Sequence, residues 1–313
     1  MRRFALVLTL VAGCSSSSSA PTVETLPDLQ LEAKPPGGYQ VILPIVRGLV
    51  PGADTEYCTW TDLVAEHDID VRAVQGFQTV GGHHVILFST AKHEEPGTTR
   101  RCTDDDMSTF RFSAASGAEG QSGKNEAPGN LVYRVPAGAQ IVLNHHYINA
   151  TGAPRDAQSA MNIFVAEPGK QYVQSGSFAV VDTALRLPPG KSAMDINCTM
   201  PRAFDAWYLI PHMHEWGSRI VVERIPVSDG VVEPLFDVEW TPAYMFHPPE
   251  LRRDPTAPLT FAAGDKLHVH CEYDNTKSTD LTFGLEMCVA FAQFVDAGNS
   301  GNLACDAGHW GTF

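Results

Sequence analysis

Several histidines of this chain occur as close pairs that could bind a metal ion. His212 and His214 follow an apolar run, residues 206–210, which predicts a buried strand. Side chains two apart on a strand share one face, so the two imidazoles could bind the same ion. This spacing is also common on strand surfaces and among buried histidines whose hydrogen bonds are satisfied within the protein, so a metal role requires further ligands.

Three more pairs occur among the twelve histidines: His83 with His84, His145 with His146, and His268 with His270. Adjacent residues on a regular strand face opposite ways, so His83 and His84 could bind one metal only where the backbone twists or bulges. The preceding Gly81 and Gly82 would permit such a bulge. We interpret the pair at positions 268 and 270 as structural.

The ligand types narrow the choice of metal. No cysteine thiolate lies beside these histidines once the cysteines are assigned to disulfides, and no HExxH zinc motif occurs. Imidazoles with a thioether favour copper, because soft sulfur suits Cu(I). Met287, one of eight methionines, is equally explained as core filling. A zinc hydrolase fits less well, since Glu215 would point away from both histidines on a strand.

The N-terminus predicts export. A basic start precedes an apolar run at residues 4–11, which is too short to span a bilayer but fits a signal peptide. The segment VAGC, ending at Cys14, resembles the lipobox of bacterial lipoproteins, in which the cysteine is acylated. We therefore expect a lipid anchor in the cell envelope, with Ser15 favouring the outer membrane. The alternative is an ordinary secretory signal with a chance cysteine.

Export permits disulfides. Beyond Cys14 the chain has six cysteines and no CxxC, and sequence alone leaves fifteen connectivities open. The formal net charge of −14 argues against a nucleic-acid partner, which would require a basic surface. Contact with the membrane is expected through the lipid alone.

The strand pattern predicts an all-β protein. Short β-branched and aromatic runs alternate with turn residues, and helical periodicity is scarce, which is typical of antiparallel β-sandwiches. A length of 313 residues suggests two domains. We predict a signal peptide at 1–13, a flexible linker at 14–37 and β-sandwiches at 38–182 and 183–313. Residues 91–128 are expected to form a long polar loop, whose acidic run at 104–106 is a solvated face or, as a lesser alternative, a calcium site.

Four of these motifs occur in the order found in the copper type II ascorbate-dependent monooxygenases, the family of the peptidylglycine and dopamine hydroxylating enzymes. They are HHVILF at 83–88, His-Tyr at 146–147, HMH at 212–214 and EMC at 286–288. The chain resembles this family from about residue 57 to residue 305. The resemblance implies two jelly-roll-like antiparallel β-sandwiches side by side, each with one copper ion, facing an open cleft.

The resemblance also implies roles for individual residues. The electron-supplying copper would be bound by His83, His84 and His146, and the copper that binds oxygen and substrate by His212, His214 and Met287. His145 would be a neighbour, because the family's histidine directly precedes the tyrosine. The implied disulfides are Cys58–Cys102, Cys198–Cys305 and Cys271–Cys288.

The implied reaction is hydroxylation of a C–H bond by O2, with ascorbate or another small reductant as electron donor. No CxxCH occurs, so the donor would be external. Ile210 stands where peptide-amidating members have an arginine, and Val289 and Phe291 replace an asparagine and a tyrosine. We therefore expect an apolar pocket and a small apolar or aromatic substrate. The alternative is a non-catalytic copper-binding lipoprotein for copper buffering or delivery.

Overall fold

The structure is a computed structural model that describes residues 24–117, 123–245, 247–298 and 301–312. The expected signal peptide and Cys14 lie outside these residues. The described chain is all-β, as the strand pattern predicts, with a single short α-helix and one 3-10 helix at Pro242–Met245. No helix among the described residues is long and apolar enough to cross a bilayer.

Two sheets form a first sandwich. Strands β6-β3-β10-β5-β7 make one sheet and β1-β12-β4-β9, with β8 beside β4, make the other, while β2 and β11 pair separately. The elements are β1 (Tyr39–Ile42), β2 (Val46–Leu49), β3 (Asp54–Val64), β4 (Ile69–Gln78), β5 (Gly82–Thr90), β6 (Thr99–Arg101), α1 (Asp104–Thr109), β7 (Arg111–Ser116), β8 (Gly123–Glu126), β9 (Leu131–Val135), β10 (Gln140–Ile148), β11 (Arg155–Ala157) and β12 (Ser159–Val165).

Along β5, side chains that point into the core between the two sheets alternate with side chains that point outward. Val85 and Leu87 of β5 are fully buried between the two sheets, together with Leu143 of β10. His84 and Ile86 therefore face the opposite side of the same strand, where they are only half-buried. The period of two places the histidine on the outer surface of the sandwich.

A second sandwich follows in the chain. Strands β15-β21-β17-β18 make one of its layers. The other layer, β13-β23-β16, continues the sheet of β1-β12-β4-β9 and is extended by β19 and β20 beside β16 and by β24 and β25. The elements are β13 (Val173–Val181), β14 (Arg186–Leu187), β15 (Gly190–Thr199), β16 (Phe204–His212), β17 (Gly217–Ile225), β18 (Glu233–Glu239), β19 (Leu251–Arg252), β20 (Leu259–Phe261), β21 (Lys266–Asn275), β22 (Leu281–Thr282), β23 (Val289–Val295), β24 (Asn302–Asp306) and β25 (His309–Thr312).

The two halves share a packed boundary. Strands β9 and β13 form a short parallel pair. Trp207 of β16 is buried in the first core and donates its Nε1–H to Ser175 Oγ at 3.1 Å. Phe178 and Val180 of β13 belong to the second core, although the expected boundary at residue 182 would assign them to the first half. The second half therefore begins after β12, because β13 pairs along its length with β23.

Two segments differ from the sequence-based expectations. Residues 24–37 are not a free linker: Leu29 is buried against Phe77 and Ala160, and the Gln158 side chain bonds the backbone of Glu24 and Leu26. Residues 91–128 are not one long loop, since they contain β6, α1, β7 and β8. The loop prediction failed because these elements are short and separated by polar turns.

Three disulfides connect Cys58 with Cys102, Cys198 with Cys305, and Cys271 with Cys288. These are the pairs that the family resemblance implies. The Cα atoms of each pair lie between 5.1 and 6.2 Å apart. Structural disulfides are typical of an oxidising compartment, in agreement with the predicted export.

Candidate metal centres

A β-bulge brings two adjacent histidines to one site. Tyr147 pairs with Gly82 and His146 with His84, so His83 is the extra residue on its strand. The turn before it needs glycine: Gly81 has a φ of +89°, and a Cβ on Gly82 would lie 2.3 Å from Gln78 Cβ. The bulge expected from the Gly-Gly pair is therefore present, and it cancels the normal alternation of neighbouring side chains.

The first candidate centre consists of His83, His84 and His146. One ring nitrogen from each lies within 4.8 Å of the others. The Nδ1 atoms of His83 and His84 are 3.0 Å apart, and the three ring centroids are separated by 5.0 to 5.1 Å. Three imidazoles at this spacing could hold one metal ion, and imidazole ligands suit zinc, copper, iron and nickel.

Polar groups hold the outer edges of these rings. His84 Nε2 lies 3.2 Å from Asn144 Oδ1 and 3.6 Å from Glu56 Oε1. His146 Nε2 contacts Asp54 Oδ1. A metal at this centre would therefore bind both rings through Nδ1. Carboxylates and amides that hold the second nitrogen are the usual partners of metal-bound histidines, because they fix ring orientation and raise basicity.

The protonation states suit a metal site. Burial, helped by the charges of neighbouring histidines, lowers the pKa of His83 to about 3. Burial also lowers the pKa of His84 to about 4, against the opposing effect of Glu56. The hydrogen bond to His146 lowers the pKa of Asp54. At neutral pH the imidazoles of His83 and His84 are neutral, which is the form that binds metals.

His145 is placed apart from this cluster. It is fully buried, with Nε2 2.8 Å from Thr59 Oγ1 and Nδ1 3.0 Å from the Tyr147 hydroxyl. Its two ring nitrogens are thus engaged within the protein. The structure thus places His145 outside the three-histidine cluster.

The second candidate centre is built at the end of β16. The rings of His212 and His214 lie 5.0 Å apart between centroids. His214 Nδ1 is 3.2 Å from the Leu285 carbonyl oxygen, so a metal would bind His214 through Nε2. Burial first, then the charges of His214 and His84, lower the pKa of His212 to about 3. This ring is therefore also neutral at pH 7.

Glu286 connects this turn to the strand that carries Met287. Its carboxylate is fully buried and accepts backbone N–H bonds from His214 at 2.6 Å, Trp216 at 2.9 Å and Met287 at 2.8 Å. The register of β16 and β23 ends at the pair of His212 with Val289, two residues from His214 on one strand and from Met287 on the other. Glu286 thereby ties the backbone of His214 to that of half-buried Met287, the expected third ligand.

The expected pocket residues lie together beside His212. Ile210 pairs with Phe291 and His212 with Val289, so all four side chains share one face of the β16–β23 pair. The Phe291 ring meets Phe112 of the first sandwich edge-on, with centroids 5.2 Å apart. The two halves thus jointly form an apolar wall.

The two histidine groups lie near one another at the boundary of the sandwiches. The charge of His84 influences the pKa of His212, and that of His214 influences Asp54. A ring from the second half, His247, lies 6.3 Å from that of His83. The five proposed histidine ligands therefore lie in one region, although they come from three separate segments of the chain.

Sequence reasoning did not identify the residues that position these ligands. Gln78 donates from Nε2 to the carbonyls of His84 at 3.1 Å and His146 at 3.3 Å. No spacing pattern in the chain marks Gln78, Asp54 or Asn144 as a positioning residue. Glu286 did have a signal in the sequence, because it is the first residue of the EMC motif.

No protein-family model and no curated protein matches the chain. Among solved structures it is similar to the major capsid protein P2 from bacteriophage PM2, at 8% identity over 84% of this chain and 99% of that one, with a TM-score of 0.30. The exported protein XepA of PBSX matches at 12% identity over 84% and 88%, with a TM-score of 0.24. The infectious bursal disease virus Gx strain structure matches at 7% identity over 88% and 76%, with a TM-score of 0.20. At these scores the similarities carry no argument about function.

Proposed function

We propose that this protein is a copper-dependent monooxygenase that hydroxylates a C–H bond of a small apolar or aromatic molecule, using O2 and electrons from ascorbate or another external reductant. The observation that supports this most is the three-imidazole cluster of His83, His84 and His146, together with a second histidine pair whose turn is tied to the Met287 backbone through Glu286. We further propose that Cys14 carries a lipid that anchors the chain in the cell envelope.

The two ligand sets differ in a way that suits two roles. Copper, when bound, would supply one-electron redox chemistry and activation of O2. The first set is imidazole only, and Asp54 and Asn144 fix the orientation of its rings. The second set includes the thioether of Met287, a soft donor that favours Cu(I). The proposal assigns electron storage to the first set and the reaction to the second.

The chain also determines what can bind at the second set. Ile210, Val289 and Phe291 present an apolar face next to His212. This face would exclude water and orient an apolar substrate by shape. With Ile210 in place of an arginine, no cation stands there to bind a substrate carboxylate.

Copper stoichiometry combined with oxygen consumption tests the proposal. We expect two copper equivalents per chain and O2 uptake with ascorbate on a panel of small apolar and aromatic compounds. Met287→Ala is expected to keep the first centre, weaken Cu(I) binding at the second and lower turnover about 100-fold or more, because the reacting geometry is lost. Met107→Ala, in an exposed position on α1, is the matched control. Full turnover in Met287→Ala would contradict the proposal.

The absence of a charged clamp beside His212 favours a second function, copper buffering or delivery without catalysis. In that case the same ligands would bind Cu(I) tightly, and no compound of the panel would stimulate O2 uptake. Product analysis with the copper-loaded protein separates the two functions.

A further inference from the structure

A third group of histidines lies on the outer face of the β15-β21-β17-β18 sheet. Leu267, Val269 and Cys271 of β21 are fully buried in the second core. The alternation of the strand therefore turns His268 and His270 outward, away from that core. Both side chains keep a contact with solvent, with 21% and 27% of their surface exposed.

Carboxylates from the neighbouring strands converge on this pair. Asp195 of β15 pairs with His270, and Glu223 of β17 pairs with His268. One oxygen of Asp195, Oδ1, lies 2.8 Å from His268 Nε2 and 2.9 Å from His270 Nδ1. The far nitrogens also face carboxylates: His268 Nδ1 lies 3.0 Å from Glu223, and His270 Nε2 lies 3.6 Å from Glu272.

This arrangement combines ligand types that bind metals with a shortage of protons. Asp195 Oδ1 lies between the two rings, within 2.9 Å of one nitrogen of each, while the second nitrogen of each ring faces another carboxylate. That pairing fixes the tautomer of metal-bound histidines. A neutral imidazole has one donor and one acceptor nitrogen, so it cannot donate to two carboxylates at once. The His268 position is thus built for a cation, either a proton or a metal.

We propose that Asp195, His268 and His270 form a third metal site, specific for a divalent ion of the Zn²⁺ or Cu²⁺ class, with Glu223 as the group that orients His268. Nitrogen ligands with one carboxylate suit these borderline ions rather than Mg²⁺ or Ca²⁺. Three protein ligands leave a fourth position open to water.

Binding requires a modest rearrangement. The rings of His268 and His270 lie 6.5 Å apart between centroids, compared with 5.0 to 5.1 Å in the first candidate centre. The side chain of Asp195 is 54% exposed and can withdraw as the ion enters between the rings. Arg219 lies 3.2 Å from Glu272, so Glu272 is the weaker of the two orienting groups.

The surrounding charges also determine how strongly a proton competes with a metal ion for His268. Partial burial opposes protonation of His268, but the hydrogen bonds with Glu223 and Asp195 outweigh it and raise its pKa. Hydrogen bonds with His268 and His270 lower the pKa of Asp195 in turn. A metal must displace the proton from His268, so affinity at this site is expected to fall as the pH is lowered.

Zinc binding to the metal-free, full-length protein tests the proposal. Equilibrium dialysis at pH 7.5 is expected to show one Zn²⁺ fewer per chain in His268→Gln and in His270→Gln than in the unaltered protein. Glu223→Gln is expected to bind this ion 10- to 100-fold more weakly. His67→Gln, at an exposed position outside the cluster, is the matched control. Equal zinc content and affinity in His270→Gln and the unaltered protein would overturn the proposal.

A second measurement uses the unaltered protein, so it does not depend on whether the variants fold. Histidine ring signals in long-range ¹H–¹⁵N NMR spectra of the unaltered protein are expected to shift for His268 and His270 on addition of Zn²⁺. Shifts confined to other histidines would refute the site. The Met287→Ala protein is expected to keep this ion, so a failure of the monooxygenase proposal leaves the zinc result unaffected.

Discussion

At the second candidate centre, Glu286 connects two segments that lie 72 positions apart in the chain. Its carboxylate accepts three backbone N–H bonds in a fully buried position. A buried carboxylate is costly unless it is fully hydrogen-bonded, and here the bonds stabilise both the turn after His212 and the start of the Met287 segment. One side chain thus holds ligands from two segments in register.

Replacing this carboxylate tests that role. Glu286→Gln keeps one acceptor oxygen but turns a donor NH2 toward the backbone N–H groups, so we expect about 2–4 kcal/mol of lost stability. Copper affinity should fall at the second centre and persist at the first. Urea unfolding and copper titration measure these effects. The exposed neighbour Glu215→Gln is the control, and equal stability of the two variants would show that Glu286 does not hold the turn.

At the scale of the element, the bulge in β5 decides the first centre. A regular strand would place His83 and His84 on opposite faces, one in the core and one outside. The extra residue rotates His83 toward His84 and His146. Gly117 packs against the same backbone, since a Cβ there would lie 2.6 Å from His84 Cα.

Adding one methyl group beside the bulge should therefore disrupt it. Gly82→Ala would place a Cβ 2.3 Å from Gln78 Cβ, and overpacking of this kind costs about 1–3 kcal/mol. We expect the loss of one copper equivalent, visible as a change in the Cu(II) EPR spectrum. Gly152→Ala is the control, because nothing lies within 4 Å of its added Cβ. An unchanged spectrum in Gly82→Ala would argue against the importance of the bulge.

At the scale of the whole molecule, the two sandwiches pack against each other beside the candidate centres. Phe112 and Phe291 meet across the boundary, and Trp207 extends from the second half into the first core. The histidines buried at this boundary affect the stability of the entire fold. Burial is the main reason that the pKa values of His83, His145 and His212 are lowered to about 3.

These shifts predict acid sensitivity of the metal-free protein. An unfolded histidine titrates near pH 6.5, so below that pH the unfolded state binds protons that the folded state does not. Stability should therefore fall as the pH decreases from about 6.5 toward 4.5, above the range where carboxylates titrate. The raised pKa of His268 does not alter this trend. Its contribution to the stability of the folded state is fully present below pH 6.5 and is lost only as the pH rises.

Urea unfolding midpoints at pH 7.5, 6.0 and 5.0 measure this dependence. Copper-loaded protein should be more stable at each pH, because an ion that binds the folded state stabilises it. A midpoint that stays constant or rises between pH 7.5 and 5.0 in the metal-free protein would contradict the burial of neutral histidines.

Much of this architecture could be predicted from the residues. Short β-branched and aromatic runs separated by glycines and prolines, with little helical periodicity, predicted an all-β fold, because these patterns are local properties of the chain. The three disulfide pairs followed from the family resemblance and are confirmed. Local patterns were insufficient for β6, β7 and β8, which are short and polar, and for residues 24–37, whose burial depends on Phe77 and Ala160 far along the chain.

By itself, the sequence determined which residues could bind a metal and on which kind of element each one lies. Imidazole and thioether chemistry and the spacing of the HMH motif are properties of the chain. Only the tertiary structure decided which of these residues meet, and which groups hold them. The bulge at His83, the carboxylate of Glu286 and the charged face around His268 depend on contacts between distant strands, and such contacts leave no local trace in the order of residues.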